Sequence, residues 1–117
     1  MDLRARVNAI AEPLPGAVLE HPFDAGHDAW KVGGKMFTMI GSKGEGVSVK
    51  TPDVDTAAML IDAGVARKAA YFHRSWVNLP DAVAEDELQH RIISSYDIVR
   101  GSLTKKAQAA LPPRKEG

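Results

Sequence analysis

The side chains of this sequence that could most readily bind another molecule are basic, and several lie near expected turns and strand ends. Lysine and arginine contact phosphate oxygens, and such contacts position a protein on nucleic acid without reading the base sequence. Aromatic residues are interleaved with them at Tyr71, Phe72 and Trp76, as in stacking platforms for single strands. The residues predicted to contact nucleic acid are Lys35, Lys43, Lys50, Arg67, Lys68 and Arg74.

The same segment supports a second interpretation, in which an open sheet face or groove holds a peptide or a small anion. The residues predicted to form this groove are Tyr71, His73, Arg74 and Trp76. The interpretation requires the Arg74 guanidinium to point inward, where it would balance an anionic charge. Large aromatic side chains dominate small cores, so Trp30, Phe37 and Trp76 are also predicted to be core residues. Both binding interpretations stay open at this point.

Hydroxyl-rich and glycine-rich segments give no catalytic pattern. The loop from Gly41 to Gly46 contains glycine, serine and lysine but lacks the G-x-x-x-x-G-K-[ST] order, so a hairpin loop is predicted. Ser94 and Ser95 precede Tyr96, but no base accompanies them, and a serine inside a helix typically serves packing and hydrogen bonding. We predict no catalytic residue and no enzymatic activity.

Metal-ligand spacing is also missing from the sequence. The chain has no cysteine, and its four histidines show neither H-x-H nor H-E-x-x-H spacing. The dense acidic run, Glu85 to Glu87, lies where the positive end of a helix dipole favours it. We therefore predict no metal site and no cofactor.

Composition indicates one ordinary globular domain. The chain has 117 residues, 44% of them hydrophobic, and its 15 basic and 15 acidic residues give a net charge of zero. This balance removes the strongly basic surface that usually marks a nucleic-acid binder, although local patches remain possible. No apolar run is long enough to cross a membrane. A soluble, cytoplasmic protein is expected.

The candidate binding side chains must be positioned by the fold, and the stretch from Ala29 to Lys50 is its organising element. The pattern of this stretch predicts three consecutive strands. Gly33 and Gly34 favour a two-residue hairpin turn, since both adopt positive φ cheaply. This turn pairs Trp30 with Phe37 and leaves Lys35 at the tip. The residues predicted on the core face are Trp30, Val32, Phe37 and Met39.

Helices are predicted on either side of these strands. The first lies before Pro13, with Arg4 and Arg6 on a solvated face. The second is expected to start at Thr51 as N-cap. A third starts at the acidic run, and a last one, capped by Ser102, precedes Pro112 and Pro113. Buried positions of the third helix are predicted at Leu88, Ile92, Tyr96 and Val99. The expected fold class is α+β, an antiparallel β-sheet covered by helices, with one domain over residues 1–111 and a tail over 112–117.

Five segments, in order, resemble the MmcQ/YjbR family over roughly residues 3 to 110. They are Leu14-Pro15-Gly16-Ala17, Trp30-Lys31-Val32-Gly33-Gly34-Lys35-Met36-Phe37, Val47-Ser48-Val49-Lys50, the run from Tyr71 to Val77, and Ser95-Tyr96-Asp97-Ile98-Val99. The resemblance implies a two-layer CyaY-like sandwich, related to frataxin, and it implies DNA binding as the activity. Fold alone does not fix function. Frataxin-like iron binding is not expected, since the first helix carries two arginines in place of an acidic face.

Overall fold

The computed structural model describes residues 2–21, 26–41 and 46–114, which form four helices and six strands. The helices are α1 (Leu3–Ala11), α2 (Val54–Asp62), α3 (Glu85–Gly101) and α4 (Lys105–Ala109). The strands are β1 (Val18–Glu20), β2 (Asp28–Val32), β3 (Lys35–Ile40), β4 (Val47–Lys50), β5 (Arg67–Lys68) and β6 (Trp76–Leu79). No helix in these ranges is both long and apolar enough to cross a membrane.

The strands form one antiparallel sheet in the order β1-β2-β3-β4-β6-β5. The first four strands follow one another as a meander, whereas β6 returns beside β4 after α2 and β5. Helices α1 and α3 pack together, and α3 covers β3 and β4. We call this the helix side of the sheet and the other side the open face. The predicted α+β class is confirmed.

A β-bulge sits in the hairpin formed by β2 and β3. Val32 pairs with Lys35 and Lys31 with Met36, as the Gly33-Gly34 turn predicts, but Trp30 pairs with Thr38 rather than with Phe37. The extra residue shifts all later positions of β3 by one. Ile40 therefore enters the core, whereas Met39 is only half-buried and lies opposite Ala29 on the open face. The prediction of Met39 as a core-face residue was wrong for this reason.

Ser95 of α3 replaces a direct backbone hydrogen bond between β3 and β4. Its Oγ donates to the Phe37 carbonyl at 2.5 Å and accepts from the Lys50 amide at 2.9 Å. The regular pairing of these strands stops next to this point, at Thr38 and Val49. Ser95 is completely buried, and its hydroxyl satisfies the buried Phe37 carbonyl and the part-buried Lys50 amide. The expected hydrogen-bonding use of this serine is confirmed.

The apolar stripe of α3 packs on the helix side as predicted. Leu88, Ile92, Tyr96 and Val99 are all buried, and the Phe37 and Tyr96 rings meet in a T-shaped arrangement at a centroid distance of 5.3 Å. The Tyr96 hydroxyl donates to the Pro15 carbonyl at 2.6 Å. A stripe that is periodic over the whole helix fixes which side of α3 meets the sheet.

Helix α1 is tied to the sheet and to α3 by two arginines. Arg4 forms a 2.6 Å ion pair with the buried carboxylate of Asp28. Arg6 donates to the Val83 carbonyl at 2.7 Å and pairs with Glu85 at 3.0 Å. The prediction of a solvated arginine face was wrong, because each guanidinium offers several donors that reach carbonyls and carboxylates on other elements.

The starts of two helices differ from the prediction. The N-cap of α2 is Asp53, whose carboxylate accepts from the Thr56 amide at 2.7 Å, a bond that lowers the pKa of Asp53. Thr51 is buried instead, and its hydroxyl bonds to the Ser75 carbonyl at 2.7 Å. Thr104 rather than Ser102 caps α4.

The segment after α4 packs against α3 as far as the structure describes it. Arg100 donates to the Pro112 carbonyl at 2.8 Å. Arg114 pairs with Asp97 at 3.0 Å and lies over the Tyr96 ring, 5.7 Å from its centroid. The predicted tail over 112–117 thus begins with three residues held in place, and the last three lie outside the described residues.

Candidate functional site

A groove of about 330 Å³ runs between α2 and the chain that connects β5 to β6. We call it the α2 groove. Its walls come from both sequence segments, so neither could form it alone. Its lining residues are Val54, Ala58, Ile61, Lys68, Ala69, Phe72, His73, Arg74 and Trp76. Helix α2 turns Ala57 and Leu60 to the core, which leaves Ala58 and Ile61 exposed as the groove wall.

Two stacked aromatic rings line the α2 groove. Phe72 and Trp76 lie with ring centroids 4.5 Å apart and planes 21° apart. Both residues are only half-buried, and Trp76 lies outside the hydrophobic core. The core predictions for Trp30 and Phe37 are confirmed, but that for Trp76 was wrong. Trp76 opens its strand at the sheet margin, where the ring can pack on a neighbouring loop residue instead of inside.

Basic side chains border the apolar surface of the α2 groove. Lys68 and Arg74 are exposed and line the groove together with His73. The Nδ1 atom of His73 accepts from the Ser75 amide at 3.1 Å, so a neutral ring carries its proton on Nε2. Lys50 Nζ donates to the Ser75 hydroxyl at 3.2 Å, and that hydroxyl lies 2.9 Å from His73 Nδ1. A hydrogen-bonded imidazole and two exposed cations therefore border one apolar groove.

A smaller groove of about 240 Å³ shares Phe72 with the first. We call it the methionine groove. Its lining residues are His27, Met36, Met39, Ala70, Tyr71 and Phe72. The bulge in β3 contributes to it, since the shift in register turns Met39 to the open face. Phe72 is the wall between the two grooves.

Tyr71, beside that wall, has an unusual conformation. Its backbone φ is +70°, and it is the one described residue other than glycine with a positive φ. Its side chain is fully exposed. This backbone conformation costs on the order of 1 to 3 kcal/mol in a residue other than glycine. The left-handed turn reverses the chain so that Ala70 and Phe72 can both reach the methionine groove.

The residues predicted to bind nucleic acid do not all share one surface. Register places Lys50 and Arg67 on the open face, since Lys50 follows Ser48 by two residues and Arg67 pairs with Asn78, the partner of Ser48. Arg67 also donates to the Asn78 side chain at 2.8 Å. Lys35 pairs with the buried Val32 and belongs to the helix side. Lys68 and Arg74 line the α2 groove, and Lys43 lies outside the described residues.

The residues predicted for the ligand groove are divided between the two grooves. His73, Arg74 and Trp76 line the α2 groove, and Tyr71 lines the methionine groove. Sequence reasoning missed the α2 wall, Val54, Ala58 and Ile61. One sequence signal could have revealed this wall. The apolar face of α2 is wider than the strip that a helix buries when it packs at the edge of a sheet, so part of that face is left exposed.

No metal-binding cluster is found in the part of the chain that the structure describes. Residues 2–21, 26–41 and 46–114 contain no group of three histidine, aspartate or glutamate side chains able to hold a metal ion. An open groove of about 730 Å³ between α1 and α3 is bordered by Pro13, Pro15, Pro112 and Arg114, among others. Its arginine is already paired with Asp97.

A comparison with protein-family models decides the relationship. The model of the family described as YjbR matches residues 13–98, which is most of the chain. The chain belongs to the YjbR family. The matched residues of this YjbR chain include β1 to β6 and most of α3, and so all of the α2 groove and the methionine groove.

A solved structure shows the same fold. The Deinococcus radiodurans protein DR2400, described with a DUF419 domain, superposes on this YjbR-family chain with a TM-score of 0.85. The match covers 100% of this chain and 94% of the other, at 21% sequence identity. No curated protein matches the chain.

Proposed function

We propose that this protein is a non-enzymatic, cytoplasmic interaction module whose α2 groove binds a ligand with an apolar body and an anionic group. One observation carries the proposal. The groove combines an apolar surface, including the Phe72–Trp76 stack, with Lys68, His73 and Arg74, and none of its described lining residues is acidic. In a chain of zero net charge this local excess of positive charge is a selective feature.

The chemistry of the groove favours such a ligand for two reasons. The exposed faces of Ile61, Phe72 and Trp76 gain free energy when an apolar group displaces water from them. Arg74 and Lys68 then offer charged donors to an anion at the edge, and the Nε2–H of a neutral His73 is a further donor. Small pockets that combine apolar walls with a few polar groups are typical ligand sites.

The probe 8-anilinonaphthalene-1-sulfonate has both required features and is expected to bind in the α2 groove. N-phenyl-1-naphthylamine, which has the same aromatic body without the sulfonate, is expected to bind more weakly. Arg74→Gln should weaken binding of the sulfonate probe by about two- to fivefold and leave the uncharged probe unchanged, because an exposed charge-assisted contact is worth up to about 1 kcal/mol. Binding would be measured by fluorescence and by amide chemical-shift changes.

Lys105→Gln is the matched control, because Lys105 is exposed on α4 and lines neither groove. It should leave the affinity for both probes unchanged. Equal binding of the charged and uncharged probes, or shift changes confined to residues outside the α2 groove, would contradict the proposal.

Binding of single-stranded DNA is the second candidate function, and the observation that favours it is the aromatic cluster. Tyr71 is exposed, Phe72 and Trp76 are half-buried, and Lys68 and Arg74 lie beside them. Bases stack on such rings while cations contact the backbone. The DNA binding that the family resemblance implies is compatible with this arrangement.

A labelled single-stranded oligonucleotide should bind at low salt with an affinity that falls as salt rises, if this second function holds. Fluorescence anisotropy would compare it with a duplex. Replacing Lys35, Arg67 and Arg74 with glutamate should abolish binding, and restoring Lys35 alone should recover little, since Lys35 lies on the helix side. Salt-independent binding, or none, would exclude DNA and leave the interaction module.

A further inference from the structure

We propose that the ligand of this module is a linear peptide that crosses Phe72, with an apolar side chain in the methionine groove and an acidic side chain at Lys68 and Arg74. This inference rests on the proposed function of the α2 groove and adds the class of partner. It also assigns a role to the methionine groove, which a ligand bound only in the α2 groove does not contact.

The arrangement of the two grooves supports an extended ligand. They share Phe72 as their common wall, and each is lined by a different set of residues on its other side. A compact anion fills one groove only. An extended chain that passes over Phe72 can place one side chain in each, because successive side chains of an extended peptide point to opposite sides.

The two grooves differ in chemistry, so each is suited to a different kind of peptide side chain. The described lining of the methionine groove contains no lysine, arginine, aspartate or glutamate, and its two methionines adapt to apolar side chains of different shape. The α2 groove carries Lys68 and Arg74. An acidic residue is thus complementary to one groove and an apolar residue to the other.

Tyr71 is placed to contact the same peptide. Its ring is fully exposed beside the methionine groove, and its positive φ holds the chain reversal that forms the groove wall. An exposed tyrosine offers a large contact area with few rotatable bonds, so it can cover a bound peptide at a small entropic cost. Strained backbone is found disproportionately at binding sites.

The test uses a defined peptide set in which phenylalanine and aspartate, in both orders, are separated by zero to four glycines, with acetylated and amidated ends. At one spacing, the peptide should bind at least about tenfold more tightly than its Phe→Ala counterpart, since burial of an apolar side chain contributes a decade or more of affinity. It should bind about two- to fivefold more tightly than its Asp→Asn counterpart, because the contacts at the exposed Lys68 and Arg74 are worth up to about 1 kcal/mol. Affinities and contact sites would be read from amide chemical shifts of the labelled protein.

Protein variants separate the two grooves. Ala70 is exposed and lines the methionine groove, so Ala70→Phe should fill that groove and remove the advantage of phenylalanine over alanine in the peptide. Ala70→Glu, which places a carboxylate at that groove and so disfavours burial of an apolar side chain there, should remove the same advantage and gives a second variant should the first fail to fold. Arg74→Gln should reduce the advantage of aspartate over asparagine, with Lys68 left as the remaining cation. Both folded Ala70 variants should still bind 8-anilinonaphthalene-1-sulfonate.

The outcomes distinguish this inference from the proposed function. If no spacing gives an advantage to phenylalanine, or if that advantage survives in both Ala70 variants, the peptide inference is wrong while sulfonate binding in the α2 groove can stand. If the sulfonate probe does not bind in the α2 groove, the proposed function itself fails.

Discussion

Replacing Ser95 with alanine is expected to lower the free energy of unfolding by about 2 to 4 kcal/mol, since the buried Phe37 carbonyl that loses its partner costs about 1 to 3 kcal/mol and the lost hydrogen bond of the part-buried Lys50 amide about 1 kcal/mol. The substitution leaves the Phe37 carbonyl and the Lys50 amide without the hydroxyl that joins them. An alanine methyl group can fill the space but can neither donate nor accept. Urea denaturation followed by circular dichroism measures the loss.

Ser94→Ala is the matched control. Ser94 precedes Ser95 in the same helix and is only half-buried, so its replacement should change stability by less than about 0.5 kcal/mol. Hydrogen exchange gives a second measurement, in which the Lys50 amide should lose more protection than the amides of β2 in the Ser95 variant. Equal stability losses in the two variants would show that the hydroxyl does not join the strands.

Replacing Gly46 with alanine is expected to cost about 2 to 5 kcal/mol of stability, the sum of left-handed backbone strain and overpacking. Gly46 has a φ of +76°. A Cβ atom there would collide with the Asn78 side chain and the Leu79 carbonyl. Its amide also donates to Asp81 at 2.7 Å, so the backbone cannot move away without breaking that bond.

Gly64→Ala separates the two contributions. Gly64 has nearly the same φ, +77°, but a Cβ atom there meets nothing within 4 Å. It should therefore show only the backbone strain, about 1 to 2 kcal/mol. Thermal and urea denaturation of both variants would measure the difference, and an equal cost at the two positions would rule out the collision.

The elements of the fold follow largely from local patterns, whereas the details of register do not. The Gly33-Gly34 turn and the stripe of Leu88, Ile92 and Tyr96 predict a hairpin and a packed helix, and both are present. The carbonyl of Phe37, the extra residue at the bulge, bonds to a serine in a distant helix, and no local sequence pattern predicts such a contact. Strand β5 has two residues, too few for an alternation to be read.

The candidate site was only partly predictable for a similar reason. The run from Tyr71 to Trp76 stands out by its residue types, but the opposite wall comes from α2, which the sequence suggests only as a helix that packs on a sheet. The positive φ of Tyr71 is not marked by glycine or asparagine, the usual residues for it. Tertiary packing determines both features.

The use of Ser95 as a spacer between β3 and β4 also has a consequence for the order of folding. Strands β1 to β4 lie next to one another in sequence, so their contacts close short loops, and such contacts form quickly. The last connection between β3 and β4, however, is made by the hydroxyl of Ser95, which belongs to a helix that follows all six strands. We therefore expect Ser95→Ala to speed unfolding more than it slows refolding in stopped-flow experiments, because the missing contact forms after the rate-limiting step.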